Sequence, residues 1–178
     1  MAATVPLYTQ HVPRLVVVLP LSPLQVGDQF PVNEWPLHIT VLAPFRTDAA
    51  PGHVAALIAA AASAEPAIPA VVGRKQMFGR RHDVPVSVMV ENEALTRLHE
   101  QLVAAVGPLG ESPQEPAFTG AEFTPHITFK NHGRMHAGDT VLLEQIAVVD
   151  MAPRSAAGGR TVLATVVLSG STRGDHEA

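Results

Sequence analysis

The sequence contains the tripeptide His-Ile-Thr twice, at residues 38–40 and again at residues 126–128. The surroundings also match: the first copy reads Trp35-Pro36-Leu37-His38-Ile39-Thr40-Val41, and the second reads Phe123-Thr124-Pro125-His126-Ile127-Thr128-Phe129. Each copy therefore has an aromatic residue three positions before the histidine and an apolar residue directly after the threonine. One copy would be weak evidence, whereas two matching copies in a short chain indicate that both serve the same function.

The spacing within each copy places the histidine and the threonine on one side of a strand. Both copies lie in segments whose composition predicts a strand, residues 37–42 and residues 123–130. Successive side chains of a strand point to opposite faces, so residues two positions apart share a face and the isoleucine between them points the other way. If the two strands lie side by side about a pseudo-twofold axis, a single groove receives two imidazoles and two hydroxyls.

Such a groove has the chemistry to act on a phosphodiester. One imidazole, when neutral, can take a proton from an attacking water or hydroxyl, and the other, when charged, can protonate the leaving oxygen. The hydroxyls can donate hydrogen bonds to the non-bridging phosphate oxygens, most strongly as negative charge develops. The pattern therefore predicts His38 and His126 as an acid and base pair and Thr40 and Thr128 as phosphate-binding residues, without a metal ion.

Two other interpretations of the histidine pair remain open. Each histidine could be a half-buried strand residue with a local hydrogen bond, which is the usual situation of a single histidine. The duplication of the whole motif argues against this. Alternatively, His38 and His126 could bind a metal ion, but two histidines without a neighbouring carboxylate or third imidazole make a poor ligand set.

The remaining pattern predicts an α+β fold in which strands come in pairs rather than alternating with helices. The predicted elements are strands at 14–20 and 37–42, a helix from 48 to about 64, strands at 67–78 and 85–90, a helix from 92 to 106, and strands at 123–130, 140–150 and 160–168. We expect the two helices to cover the outer faces. A proline- and glycine-rich loop occupies residues 108–120, and the chain ends in a polar tail from residue 171.

Composition limits the class of protein and of partner. The chain has 178 residues, of which 47% are hydrophobic and 16% charged, which suits one folded domain. A net charge of −4 argues against a broad electrostatic surface for double-stranded DNA. The sequence contains no cysteine, which excludes disulfides, thiolate nucleophiles and cysteine-bound zinc. No apolar stretch approaches the roughly 20 residues of a membrane helix, so we expect a cytoplasmic protein with no membrane contact.

At the two motifs the chain resembles the 2H phosphoesterase superfamily, whose members carry two copies of a hydrophobic-His-x-Thr-hydrophobic motif. Within it, the chain resembles the bacterial group of 2'-5' RNA ligases, also described as RNA 2',3'-cyclic phosphodiesterases. The resemblance implies a single bilobal domain over residues 1–170, followed by a polar tail at 171–178. It also implies two antiparallel sheets around a central cleft, with helices on the outer faces and one motif in each lobe.

The resemblance further implies an activity. A 2',3'-cyclic phosphate at the end of RNA or of a nucleotide would be opened to a 2'-phosphate, with reversible 2'-5' ligation known in some relatives. His38 and His126 would be the acid and base pair in undecided order, Thr40 and Thr128 would bind the phosphate, and no cofactor would be needed. We expect a monomer whose partner is an RNA 3' end or small nucleotide with a cyclic phosphate. The rival function is a domain that binds nucleotide or phosphate without catalysis.

Several other residues are candidates for substrate contacts. A basic cluster follows the second motif, formed by Lys130, His132, Arg134 and His136. Further candidates are Arg80 and Arg81 in the predicted turn between two strands, and Phe78 and Trp35, which could stack on a base although core packing is the commoner use of such residues. Lys130 stands where bacterial relatives often have arginine. The remaining histidines are expected at the surface: His11, His53, His82, His99 and His176.

Overall fold

Nine strands, two α-helices and a 3₁₀ turn at Gly107–Leu109 are found in the part of the chain that the computed structural model describes, residues 13–110, 122–151 and 159–169. The strands are β1 (Arg14–Pro20), β2 (Gln29–Phe30), β3 (His38–Arg46), β4 (Ile68–Phe78), β5 (Val84–Met89), β6 (His126–Thr128), β7 (Thr140–Leu143), β8 (Gln145–Asp150) and β9 (Arg160–Val167). The helices are α1 (Pro51–Ala61) and α2 (Glu93–Val106). The predicted polar tail and most of the predicted 108–120 loop lie outside the described residues.

The strands form one continuous antiparallel ladder in the order β2-β9-β8-β1-β3-β6-β5-β4-β7. The α+β class is confirmed, but the predicted division into two separate sheets is not. The two halves of the ladder meet where β3 pairs with β6, and these are the strands that carry the two motifs. The ladder curls into a half-barrel, so one face is concave.

Two strand predictions need correction. The segment at 140–150 was expected as one strand, but it is divided at Glu144 into β7, which pairs with β4, and β8, which pairs with β1. The chain therefore crosses from one half of the ladder to the other at this residue. Strand β2 lies between the predicted strands at 14–20 and 37–42, where no element was predicted, and it consists of two residues that pair with β9. A strand of two residues is defined by its pairing with β9 and shows no pattern in its own sequence.

Both helices begin where the local sequence favours it. Pro51 occupies the first turn of α1, where no hydrogen-bonding N–H is needed. The Asn92 side chain caps α2 by accepting hydrogen bonds from the backbone N–H groups of Ala94 and Leu95 at 3.1 and 3.3 Å. Within the described ranges, neither helix has the length and apolar character that a membrane span requires.

The main core lies between the helices and one face of the sheet. The helices contribute buried residues such as Ile58 and Leu98, which belong to the same apolar cluster as Ile39 and Ile127, the central residues of the two motifs. Both helices therefore pack on the isoleucine face, rather than on the outer faces of two separate lobes. The histidines and threonines of the motifs are left on the other face.

A smaller core covers part of that other face. It consists of Val16, Val18, Leu24, Trp35, Ala147, Val149 and Val162. Leu24 and Trp35 come from the segment between β1 and β3, which is anchored by hydrogen bonds between the Gln145 side-chain amide and the backbone of Leu24 at 2.9 and 3.0 Å. Trp35 packs in this core and contacts His38 of the first motif.

Candidate active site

The two motifs lie side by side because β3 and β6 are antiparallel neighbours paired at Ile39 and Ile127. Extending this register by one residue puts His38 opposite Thr128, and the same relation holds between the other histidine and the other threonine. All four side chains therefore share the face opposite to the isoleucines. The two histidines are diagonal neighbours, with Cβ atoms on the order of 7 Å apart. That spacing allows two rings to approach one small group from either side.

Backbone carbonyls orient both imidazoles in the same way. Nδ1 of His38 lies 2.7 Å from the carbonyl oxygen of Pro36, and Nδ1 of His126 lies 2.7 Å from that of Thr124. A carbonyl oxygen only accepts hydrogen bonds, so Nδ1 must carry the proton in each ring. In the neutral ring the basic lone pair is then on Nε2, which is the atom available for proton transfer.

Each imidazole also packs against an aromatic ring. The ring centroids of Trp35 and His38 are 4.0 Å apart, and those of Phe78 and His126 are 4.6 Å apart in an edge-on arrangement. Trp35 is 6% exposed and belongs to the smaller core, whereas Phe78 is half-buried. These contacts restrict the rings to narrow orientations, and core packing accounts for Trp35 as the sequence suggested.

The surroundings favour the neutral form of both histidines. The pKa of His38 lies at about 4, below its ordinary value of 6.5, chiefly because of burial; the hydrogen bond to Pro36 opposes the shift, and the positive charges of Lys130 and Arg160 contribute to it. Burial also lowers the pKa of His126. Without an anion in the site, both rings are therefore predominantly neutral at pH 7.

Two cations border the first histidine. The Lys130 ammonium lies 5.9 Å and the Arg160 guanidinium 5.4 Å from the centre of the Trp35 ring. Arg160 is only 6% exposed, and its Nη1 donates to the carbonyl of Gly159 at 2.9 Å. Burial and, to a smaller extent, Arg160 lower the pKa of Lys130. Lys130 therefore lies near His38, its contact with substrate stays a prediction, and Arg160 is an additional cation that the sequence pattern did not reveal.

The signal that could have revealed Arg160 is the glycine before it. Gly159 has a φ of +58°, and a Cβ at this position would lie 2.7 Å from the carbonyl oxygen of Phe30. Only glycine fits both conditions, so this residue fixes where β9 begins and where Arg160 stands.

The other predicted substrate residues are exposed. Arg80 lies in the turn between β4 and β5, and Arg134 lies in the segment after β6. Arg81, His132 and His136 are exposed as well, and His136 lies 3.8 Å from Asp139. Contacts of Arg80 and Arg134 with substrate stay predictions.

His99 is not at the surface, contrary to expectation. It is 1% exposed on the inner side of α2, with Nδ1 2.8 Å from the carbonyl oxygen of Val41 and its ring stacked on Phe123 at 3.9 Å. It therefore contacts the segments of both motifs from behind. The sequence feature that could have indicated its burial is its position one residue after Leu98, on the apolar side of a helix.

A metal ion needs more ligands than this site offers in the described part of the chain. Among residues 13–110, 122–151 and 159–169, no three side chains of His, Asp or Glu come together in a group that could hold an ion. The polar groups that converge at the two motifs are imidazoles, hydroxyls and cations, and these suit an anion.

Several solved structures resemble this chain in fold. The chain resembles the crystal structure of LigT from E. coli complexed with phosphate, with a TM-score of 0.59, 15% identity and coverage of 89% of this chain and 98% of that one. It also resembles the crystal structure of TT0787 from Thermus thermophilus, with a TM-score of 0.55, 23% identity and coverage of 89% and 99%. A crystal structure described as a phosphoesterase gives a TM-score of 0.56, 16% identity and coverage of 88% and 99%. At these identities the likeness concerns the fold.

The sequence comparisons give the family. A search of curated proteins found no match. The profile of the 2'-5' RNA ligase superfamily matches residues 18–149, a range that includes both motifs. The chain therefore belongs to the 2'-5' RNA ligase superfamily of 2H phosphoesterases.

Proposed function

We propose that this protein opens 2',3'-cyclic phosphates at RNA or nucleotide ends to 2'-phosphates, without a metal ion. The observation that carries the proposal is the antiparallel pairing of the two motifs, which puts two similarly oriented imidazoles on one face with a threonine hydroxyl opposite each. Family membership supports a phosphoesterase-type enzyme.

The reaction needs one proton acceptor and one proton donor. A water oxygen forms a bond to phosphorus while the bond from phosphorus to O3' breaks, which leaves the phosphate on O2'. One imidazole takes a proton from the water at Nε2, and the other gives its Nε2 proton to O3'. Thr40 and Thr128 donate to the non-bridging oxygens as their charge grows. If the 5'-hydroxyl of another RNA replaces water, the same steps form a 2'-5' linkage.

The unequal surroundings favour His38 as the base. Burial lowers the pKa of both rings, and at His38 the charges of Lys130 and Arg160 act in the same direction and bring it to about 4, so we take His38 as the ring that is harder to protonate. The negative charge of a bound phosphate raises the pKa of both rings. His126 is then the first to take up a proton and becomes the general acid.

Solved relatives support a nucleotide ligand. Structures of E. coli LigT have been determined with phosphate, 3'-AMP, ATP and NADP+. Each of these molecules is a phosphate or carries one, which is the group that the two hydroxyls and two imidazoles of this site suit.

The test is turnover of a cyclic mononucleotide, and of an RNA with a 2',3'-cyclic end, in the presence of EDTA. We expect hydrolysis to a 2'-phosphate, and a loss of at least about 100-fold in kcat for either His38→Ala or His126→Ala, because general acids and bases contribute about that much or more. His53→Ala, which changes an exposed histidine of α1, should keep full activity. Full turnover in both motif variants would exclude the proposal.

A binding domain without catalysis is the second candidate. One observation favours it: the lowered pKa values of both histidines leave the empty site without a protonated acid at neutral pH. Such a domain would bind mononucleotides in a calorimetric titration and leave the cyclic phosphate intact. Turnover in the assay above that either histidine variant abolishes rules it out.

A further inference from the structure

A polar pair lies beside the motifs on the next-but-one strand. In the β4 and β5 ladder Gln76 pairs with Val86, and in the β5 and β6 ladder Val86 pairs with Thr128. Directly paired residues point to the same face, so Gln76 shares the face of Thr128 and of the histidines. Two strand spacings separate the backbones of Gln76 and Thr128, or about 10 Å. A long side chain at this position reaches the neighbourhood of the phosphate site.

Arg74 and Gln76 form a preorganised donor group. In the amide orientation that satisfies both side chains, Nη2 and Nε of Arg74 donate to the side-chain oxygen of Gln76 at 2.8 and 3.0 Å. The amide oxygen is thereby occupied, and the amide NH₂ and the remaining guanidinium N–H groups are left as donors. Arg74 is exposed and Gln76 is half-buried, so a ligand has access to both.

Within residues 13–110, 122–151 and 159–169, no carboxylate forms an ion pair with Arg74. The ion pairs among the described residues involve other side chains, and the partner of Arg74 is a neutral amide. Phe78, two residues beyond Gln76 on the same face, contacts His126 edge-on. Along this face of β4, the Phe78 ring beside His126 is followed by the Gln76 amide and then by the positively charged Arg74.

We propose that Arg74 and Gln76 bind a second phosphate of the substrate, the phosphodiester adjacent to the reacting cyclic phosphate. This inference rests on the proposed function and narrows it to the 3' end of an oligonucleotide. Because Arg74 occupies the amide oxygen of Gln76, the pair presents only donors, which suits the oxygens of a phosphodiester, and a cyclic mononucleotide has no second phosphate to place there. The mononucleotide is therefore a poorer substrate than the dinucleotide.

The chain offers a matched control on the same strand. Lys75 lies between the two proposed residues, pairs with Ser87 and holds its ammonium 5.5 Å from the ring of Phe129. It therefore points to the opposite face of the sheet. Lys75→Met removes the same charge as Arg74→Met at almost the same place in the sequence, but away from the motifs.

The first experiment compares kcat/KM for a dinucleotide ending in a 2',3'-cyclic phosphate with kcat/KM for the cyclic mononucleotide. We expect Arg74→Met to lower the value for the dinucleotide by about 10-fold and to leave the mononucleotide value within about 2-fold. Lys75→Met should change neither. Equal effects of Arg74→Met on the two substrates, or no effect on either, would overturn the inference.

A second substrate tests the inference without relying on a variant. Replacing the internal phosphodiester of the dinucleotide by a neutral methylphosphonate should cost the unaltered protein about the same 10-fold, and should cost Arg74→Met nothing further. If the unaltered protein handles both dinucleotides equally well, the inference is wrong. This comparison stands even where Arg74→Met folds poorly.

Binding measurements separate the inference from the reaction. Calorimetric titration with a dinucleotide 3'-phosphate and with the matching mononucleotide 3'-phosphate requires no turnover. A preference for the dinucleotide that Arg74→Met abolishes supports the second phosphate site even if the protein fails to open any cyclic phosphate, in which case only the proposed reaction is refuted. Equal binding of both ligands, together with normal turnover, refutes the subsite alone.

Discussion

The proton on Nδ1 is the feature of His38 and His126 that decides their chemistry. In each ring, this proton is donated to the carbonyl oxygen of the residue two positions upstream, so Nε2 is the atom available for proton transfer. The sequence was sufficient to identify the pair, because the alternation of side chains along a strand is a local property. It was not sufficient to place Arg160 near His38 or Gln76 on the face of Thr128, since both positions depend on pairing between strands distant in the chain.

A charge change next to His38 should move the pH dependence of catalysis. Lys130→Met removes a positive charge that lowers the pKa of His38, so this pKa should rise. The acidic limb of kcat/KM, measured on a cyclic mononucleotide between about pH 3.5 and pH 8, should then move to higher pH, because the free enzyme must hold its base neutral. Arg134→Met, in the exposed segment after β6, is the control and should leave the limb in place. An unmoved limb in Lys130→Met would contradict the assignment of His38 as the base.

At the scale of single elements, α2 supports the motifs from behind. Its buried side includes His99, whose ring bonds to the Val41 carbonyl of β3 and stacks on Phe123 ahead of β6. The helix was predictable from its apolar spacing and its termination at Gly107-Pro108. The split of the 140–150 segment into β7 and β8 was not, because the residues on either side of Glu144 have the same strand character and differ only in their partners.

The contribution of the α2 cap to the stability of the fold can be tested. Asn92→Ala removes the acceptor for the N–H groups of Ala94 and Leu95 and should lower the free energy of unfolding by about 1 kcal/mol. Asn92→Asp keeps an acceptor and loses only the bond from Nδ2 to the Pro69 carbonyl, so it should cost less. Urea unfolding measures both. A larger loss in Asn92→Asp than in Asn92→Ala would show that the cap is not the relevant interaction.

At the scale of the whole molecule, the buried histidines link the stability of the fold to pH. The pKa of His38 is about 4 in the folded protein and about 6.5 in the unfolded chain, and the pKa of His126 is lowered as well. The unfolded chain therefore binds more protons as pH falls below 6.5, and the folded state loses stability until the folded pKa is reached. The site is most stable in its neutral form, above pH 6.5.

The size of the pH effect on the free energy of unfolding follows from the shift in the pKa of His38. Between pH 7 and pH 4, the free energy of unfolding should fall by about 3 kcal/mol from His38 alone. His38→Gln removes this contribution, so the difference between its unfolding free energies at the two pH values should be smaller by about that amount. His53→Gln should retain the full difference. If His38→Gln shows the same pH dependence as the unaltered protein, His38 is not buried as a neutral ring.

The pairing of β3 with β6 affects the orientation in which a substrate can bind. With His38 opposite Thr128 and the reverse arrangement beside it, the centre of the site looks almost the same after a half-turn. A ribose end could therefore enter in two orientations, and each would exchange the tasks of the two rings. The residues around the two motifs differ and remove this near-symmetry. Trp35 and two cations lie on one side, and Phe78 lies on the other. Under the proposed function, the orientation in which a substrate binds would therefore depend on these unlike surroundings of the two motifs.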